Sequence, residues 1–414
     1  MTRHLIYSAI SSGSAVLMLV LLTIAGRTLG VDDFGAFTYA ITIATIAEVF
    51  MDFGLHQVTI RAIARDHASA GRYFGTSLLA KLLPGVGMVL VFGGLTLLLR
   101  EEPVVRLACA LMLCSATMRS YLLTARGVLQ GLERFGDDAL VTTLDRALLV
   151  LCCGLALWWG AGVIGVSVVF LAVRIVTAGL SLFMVGRLVG RGSFDRELWR
   201  QLPAEALPVG LFLLVLNLYN RIDTVMLGAM VGNRETGLYG AAYPLYEGLT
   251  YATAVLSTVL VPRLSRLWNE DRAAYGRLAR RAMLTSALLA IGIAAVAVPL
   301  AEVAVTLGFG ADYAPAGRTF RILVFGLPFV YVIWVLHAVA LSANHTRILL
   351  TVTAVGSCLN IGLNAIWIPQ YAQDGAAAAT VVSEAVATGL LIYGLRHALA
   401  GWDPARSDTP TTTT

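Results

Sequence analysis

The sequence predicts an all-α polytopic membrane protein of twelve transmembrane helices in two six-helix lobes, with both termini in the cytoplasm, and three observations predict it. The first is composition: 58% of the 414 residues are hydrophobic and only 13% are charged, about half the charged share of an ordinary soluble domain. Mean hydropathy is +0.78. A soluble chain of this length would need far more polar surface to cover its core, so lipid is the solvent for most of this one. The second is spacing, because the apolar residues fall into windows of roughly twenty, each long enough to cross a bilayer as a helix. None shows the period-two alternation of barrel strands. The third is the distribution of arginine and lysine between alternate loops.

The first window, 5–25, follows Arg3 and His4 and contains Ser8, Ser11, Ser12 and Ser14. It lacks a small-x-small cleavage site ahead of a soluble domain, so it reads as a span and not as a signal peptide. The second, 36–57, carries Thr45, Glu48 and Asp52 on one side; the third, 74–99, contains Lys81 and Pro84; the fourth, 104–125, contains Arg119. Asp145 and Arg146 enter the fifth, 139–158, at a depth where snorkelling costs little, and Arg174 lies deep in the sixth, 162–187. In the seventh, 204–230, Asn217, Arg221, Thr224 and Gly228 follow spacings that place them near one helical face. Asp223 points away from Arg221, since residues two apart on a helix diverge by about 200°.

The eighth window, 237–260, carries Tyr243, Glu247 and Tyr251, and the ninth and tenth, 283–307 and 319–343, contain Pro299 and Pro328. The eleventh, 348–368, holds Thr353, Ser357, Asn360 and Asn364; the twelfth, 375–399, holds Thr380, Glu384 and Thr388. Polar groups at these depths must face the bundle interior or a wet cavity, because lipid cannot satisfy them. Structural pairing and a transport role compete at each. Pro84, Pro208, Pro244, Pro299 and Pro328 are positions where helices can bend.

Of the 30 Lys and Arg residues, 22 fall on the side of the N-terminus, 6 on the other side, and Arg174 and Arg221 lie within spans. One missed helix would invert every later loop, yet the bias holds to the end of the chain. The formal charge of +5 is therefore accounted for by cytoplasmic loops beside anionic lipid, without a nucleic-acid partner. The longest polar connection, 262–281, could form a basic helix on the membrane surface.

The chain repeats itself weakly. "LGVDDFGAFTYA" (29–40) is echoed by "LGAMVGNRETGLYGAA" (227–242), with Gly35 over Gly237 and Phe37 over Tyr239, and Gly165 corresponds to Gly375. Six spans per repeat give two halves of the same orientation, related about an axis along the membrane normal. The lobes are expected at 1–200 and 201–400, followed by a polar tail, 401–414. Two such bundles would enclose a central cleft and move by rocking.

The absences discriminate as well. The sequence has no Walker loop and no HExxH, and its six histidines lack ligand spacing. The five cysteines all sit in predicted spans without metal-site or disulfide-framework spacing. No cofactor, metal or covalent catalysis is expected.

"GRTLGVDDFGAFTYAITIATIAEVFMDFGLHQVTIRAIAR" (26–65), "RGVLQGLERF" (126–135), "NRIDTVMLGAMVGNRETGLYGAAYPLYEGL" (220–249) and "VLVPRLSRL" (259–267) resemble the polysaccharide-biosynthesis branch of the multidrug/oligosaccharidyl-lipid/polysaccharide exporter superfamily. The likeness runs through roughly residues 5–399. It implies a MATE/MOP-like fold and a flippase that carries an undecaprenyl-pyrophosphate-linked oligosaccharide across the bacterial inner membrane for O-antigen, capsule or exopolysaccharide synthesis. A cationic cavity is implied too, with Arg221, Arg174, Lys81, Asn217, Tyr243 and Tyr251 as pyrophosphate or sugar contacts. Asp52, Asp223, Glu247, Glu48 and Glu384 are the coupling or gating candidates. Membrane lipids, and transiently a polysaccharide polymerase or glycosyltransferases, are the implied neighbours of a monomer. Many relatives have fourteen spans; a twelve-span chain lacks the accessory lipid groove of some of them. The rivals are a cation-coupled drug or metabolite exporter of the same superfamily and a non-transport scaffold for polysaccharide assembly.

Overall fold

The computed structural model describes residues 15–190 and 192–398, with side chains described for all of these except 15, 251, 252 and 254–259. The serines of the first window, the side chain of Tyr251 and the polar tail lie outside the described residues. Every regular element among the described residues is helical. In chain order these are α1 (Ala15–Leu29), α2 (Val31–Asp52), α3 (Leu55–Arg65), α4 (Ala70–Ala80), α5 (Leu82–Leu99), α6 (Pro103–Gly131) and α7 (Phe135–Trp158). They continue as α8 (Val163–Val189), α9 (Arg196–Met230), α10 (Asn233–Glu270), α11 (Arg272–Phe309), α12 (Ala316–Val324), α13 (Leu327–Ser342) and α14 (Thr346–Ala398).

Among the described residues, eight helical segments are long and apolar enough to cross a membrane, and nine if the pair α12 and α13, bent by 44°, is one span. The breaks have local causes. Pro84 lies in the first turn of α5 and Pro328 in the first turn of α13, where a missing N–H is tolerated. Ala372, at φ 49° and ψ −130°, divides α14 into two helical arms. Leucines such as Leu83 and Leu98 stand exposed along these helices, as a lipid-facing surface requires.

The chain forms two compact units, Met1–Gly237 and Leu238–Thr414. In the first unit α9 packs along α2 and α3. Two glycine contacts enforce that packing. The turn between α2 and α3 passes through Gly54 at φ 82°, where a side chain would meet the backbone of Gly210 in α9. At the other end of α2, a methyl on Gly35 would overlap the carbonyl of Asn233 and crowd the backbone of Gly237. Arg100 straps the same joint: its buried guanidinium lies 4.9 Å from the centre of the Tyr39 ring and donates to the carbonyl of Gly228, to Asn233 and to Glu102.

Within the first unit, α6 is central, packed on α2, α3 and α8. Its Leu122, Ala125 and Leu129 form an apolar cluster with Ile63, Phe74 and Val185. In the second unit, Leu264, Tyr275, Leu336, Val339 and Leu391 make the corresponding cluster, and the Tyr275 hydroxyl donates to the Val339 carbonyl at 2.9 Å.

The segment 262–281 differs from expectation. It is not a separate surface helix: α10 continues through Pro262 to Glu270, Asp271 alone interrupts it, and α11 begins at Arg272. Asp271 caps α11 by accepting from the Ala274 amide at 2.8 Å. The Arg272 guanidinium sits 3.1 Å from the Trp268 ring centre, a cation–π contact that joins the two arms.

Candidate functional site

Six membrane-depth charges of the first unit are gathered close together, each in an ion pair. Glu48 and Asp52 lie one turn apart on α2, so their carboxylates share a face. Asp52 is the last residue of that helix, where the helix dipole disfavours a negative charge. Its compensation is Lys81, which sits in the break between α4 and α5 and is fully buried. The Lys81 ammonium donates to Asp52 at 2.7 Å and to the Ser120 carbonyl at 2.7 Å. Asp52 also accepts from the His56 backbone amide at 3.3 Å.

Glu48 pairs with Arg119 of α6 at 2.9 Å. Arg119 in turn lies 3.7 Å from Asp145 of α7, which accepts from Arg174 of α8 at 2.5 Å and from the Thr177 hydroxyl at 2.8 Å. Asp145 is buried, 1% exposed, so it does not snorkel at an interface as the sequence suggested. Three carboxylates thus face three cations, and the network is formally neutral. Nearer the end of α6, Arg126 pairs with Asp138 at 2.6 Å as a further closed unit.

A cavity of about 230 Å³ opens beside this network. Glu48 and Asp52 line it from α2, His56 and Gln57 from the start of α3, and Asn217 and Asn220 from α9, with Leu123, Leu213 and Leu216 as apolar walls. Arg119 and Lys81 stand behind the carboxylates rather than among the lining residues. The His56 Nδ1 faces the Leu123 carbonyl at 2.9 Å; with that carbonyl accepting, Nδ1 carries the proton and Nε2 remains an acceptor. The Asn217 side-chain oxygen is buried and has no hydrogen-bond partner among the described residues.

The remaining sequence candidates are placed as follows. Arg221 is half-buried, one turn beyond Asn217. Asp223 is buried, 2% exposed, and accepts from the Thr224 amide at 2.7 Å. In the second unit Glu384 is buried and accepts from Tyr246, whose hydroxyl is 2.9 Å from both carboxylate oxygens. Tyr243 stacks on Tyr239 at 5.5 Å, and Glu247 is half-buried. Asn364 donates to Asn360 at 2.9 Å, and Asn360 to Ser383 at 3.2 Å, so these amides bridge the two arms of α14. Among the described residues no group of His, Cys, Asp or Glu could hold a metal ion.

Sequence reasoning omitted Asn220, His56 and Arg119 from the candidate residues. Asn220 was detectable, being three residues from Asn217 on the same helical face. His56 was not, since the α2–α3 turn breaks the period that would have related it to Asp52.

The family model for polysaccharide biosynthesis proteins matches residues 2–268. The chain belongs to this family. A second model, for the lipid II flippase MurJ, matches residues 249–409. No curated protein matches the chain. Solved structures do: the chain is similar to lipid II flippase MurJ in an inward closed conformation, at 14% identity over 95% of this chain and 87% of that one, with a TM-score of 0.80. It is similar to an inward-facing multidrug resistance MATE family transporter of the MOP superfamily, at 15% identity, 96% and 98% coverage and a TM-score of 0.77. A MOP superfamily transporter from Pyrococcus furiosus aligns at 16% identity, 97% and 95% coverage and a TM-score of 0.63. These likenesses establish the all-helical, multi-pass MOP fold of a polysaccharide-biosynthesis family member.

Proposed function

We propose that this member of the family is a flippase that moves a lipid-linked oligosaccharide across the bacterial inner membrane by alternating access, without covalent catalysis. The observation that carries the reading is the family match over residues 2–268, continued by the flippase match over 249–409. The charge bias of the loops supports twelve spans in two six-helix lobes with both termini in the cytoplasm, counting α1, α10, the bent pair and each arm of α14 as spans beside the other long helices. The substrate's pyrophosphate would be met by arginine, whose planar fork fits two phosphate oxygens. Lys81 and Arg174 are each bound to a carboxylate in this conformation, so they could serve only after exchanging that partner. Arg221, half-buried one turn from the cavity-lining Asn217, is the leading anion contact, with Tyr243 and Tyr251 as sugar contacts in the second unit. The protein would act as a monomer in transient contact with a polymerase or glycosyltransferases.

The direct test is reconstitution in liposomes with a fluorescent prenyl-pyrophosphate-linked oligosaccharide. Arg221→Ala should insert normally and flip at least about tenfold more slowly, equal to about 1.4 kcal/mol in the limiting barrier. Arg221→Lys should recover part of the loss. Flipping at the wild-type rate by Arg221→Ala at normal protein level would remove Arg221 from the site. The second reading, a cation-coupled exporter, is favoured by one observation: the cavity of the first unit is lined by two carboxylates, Glu48 and Asp52. Extrusion of soluble cationic compounds, with no flipping of the lipid, would establish it.

A further inference from the structure

The cavity of the first unit has an unusual electrostatic construction. Glu48 and Asp52 line it, while their counter-ions, Arg119 and Lys81, approach from behind. Lys81 is wholly buried and the Arg119 side chain is 25% exposed. Each carboxylate is therefore paired with and oriented by a cation that does not line the space. The network sums to zero, so the cavity offers no net attraction to a pyrophosphate, and no uncompensated negative charge calls for a metal cation.

What such a space does offer is hydrogen-bond capacity. Two fixed carboxylates present several acceptor sites, the His56 ring adds Nε2, and the amides of Gln57, Asn217 and Asn220 add donors and acceptors. The buried Asn217 oxygen lacks a partner among the described residues, and a buried acceptor without a partner costs about 1–3 kcal/mol unless something occupies it. The ligand that fits is neutral, rich in hydroxyl donors and small. A volume near 230 Å³ is below the ~300–1,000 Å³ of drug-sized pockets.

We propose that the cavity bounded by Glu48, Asp52, His56, Asn217 and Asn220 is a monosaccharide subsite that selects the sugar of the lipid-linked substrate through its hydroxyl groups. Recognition of the head group is then divided, with pyrophosphate met by arginine and a sugar ring other than those met by Tyr243 and Tyr251 held here. This rests on the flippase reading but can fail separately from it. Specificity is strong because an analogue lacking a hydroxyl leaves a buried acceptor unpaired.

The test is calorimetric titration of the full chain in nanodiscs with farnesyl pyrophosphate and with the same compound carrying glucose, galactose or N-acetylglucosamine. At least one sugar-bearing probe should bind wild type ten or more times more tightly than farnesyl pyrophosphate. Asn217→Leu should reduce that ratio below about threefold; it removes no hydrogen bond recorded within the protein. Asn220→Leu, at an exposed position, should do the same and serves if Asn217→Leu does not fold. A ratio near one for all three sugars, or a ratio that survives both substitutions, overturns the subsite. So does sugar-independent binding whose strength follows sodium, which would make the cavity a cation site. Failure of wild type to flip any prenyl-pyrophosphate-linked oligosaccharide would instead overturn the flippase reading itself.

Discussion

Asp52 and Lys81 are 29 residues apart in sequence and 2.7 Å apart in space, and neither is stable alone at that depth. Breaking a buried pair by deleting one member typically costs about 3–5 kcal/mol, because the other charge is left uncompensated. Asp52→Ala should therefore lower the unfolding midpoint in nanodiscs sharply, and Asp52→Leu combined with Lys81→Met should recover most of the loss. A double variant no better than the single one would show that the pair does more than cancel its own charges. The residue types were visible in the sequence, where each stood out as a charge inside an apolar window. Their partners were not, because the sequence puts Asp145 at a depth where it could snorkel and says nothing of Arg174 beside it until α7 and α8 are brought together. Composition shows that a charge is buried; only packing shows what neutralises it.

Gly35 and Gly237 occupy matching positions of the internal repeat, and in the fold these two glycines pack against each other. A methyl group at Gly35 would lie 1.8 Å from the Asn233 carbonyl oxygen, a backbone atom that cannot rotate away. Gly35→Ala should force α2 and the start of α10 apart and reduce both folded yield and transport, whereas Gly87→Ala, where a methyl meets nothing within 4 Å, should be tolerated. Comparable losses for both would mean that the crossing tolerates more room than its geometry suggests. At this scale the sequence was legible in part: the windows from 36–57 onward overlap helices of the described residues, of which eight, or nine with the bent pair, are long and apolar enough to cross a membrane. The errors concern continuity. The eighth window closes at 260 and 262–281 reads as a separate surface helix, yet α10 runs on through Pro262, since a proline in a long helix costs one hydrogen bond and a kink that neighbouring packing can absorb.

For the whole chain, the loop charges predict which surface each connection reaches. With the native cysteines replaced, a cysteine at the exposed Arg266 should react with an impermeant maleimide only from the cytoplasmic side, and one at the exposed Asp312 only from the opposite side. The same sidedness at both would overturn the span count. That count rests on charge alternation more than on helix length, because length merges the two arms of α14 and divides α12 from α13. Helix length has another consequence in the second unit. Each arm of the hairpin formed by α10 and α11 has 38 residues, about 57 Å at 1.5 Å per residue, against roughly 30 Å of hydrocarbon. Asp271 alone joins them, and the Trp268–Arg272 contact clamps the joint. An arm of that length would turn a tilt of about 10° into about 10 Å of travel at its tip, so a spin label on Arg277 would act as a pointer, converting small motions at membrane depth into displacements readable at the end of the hairpin.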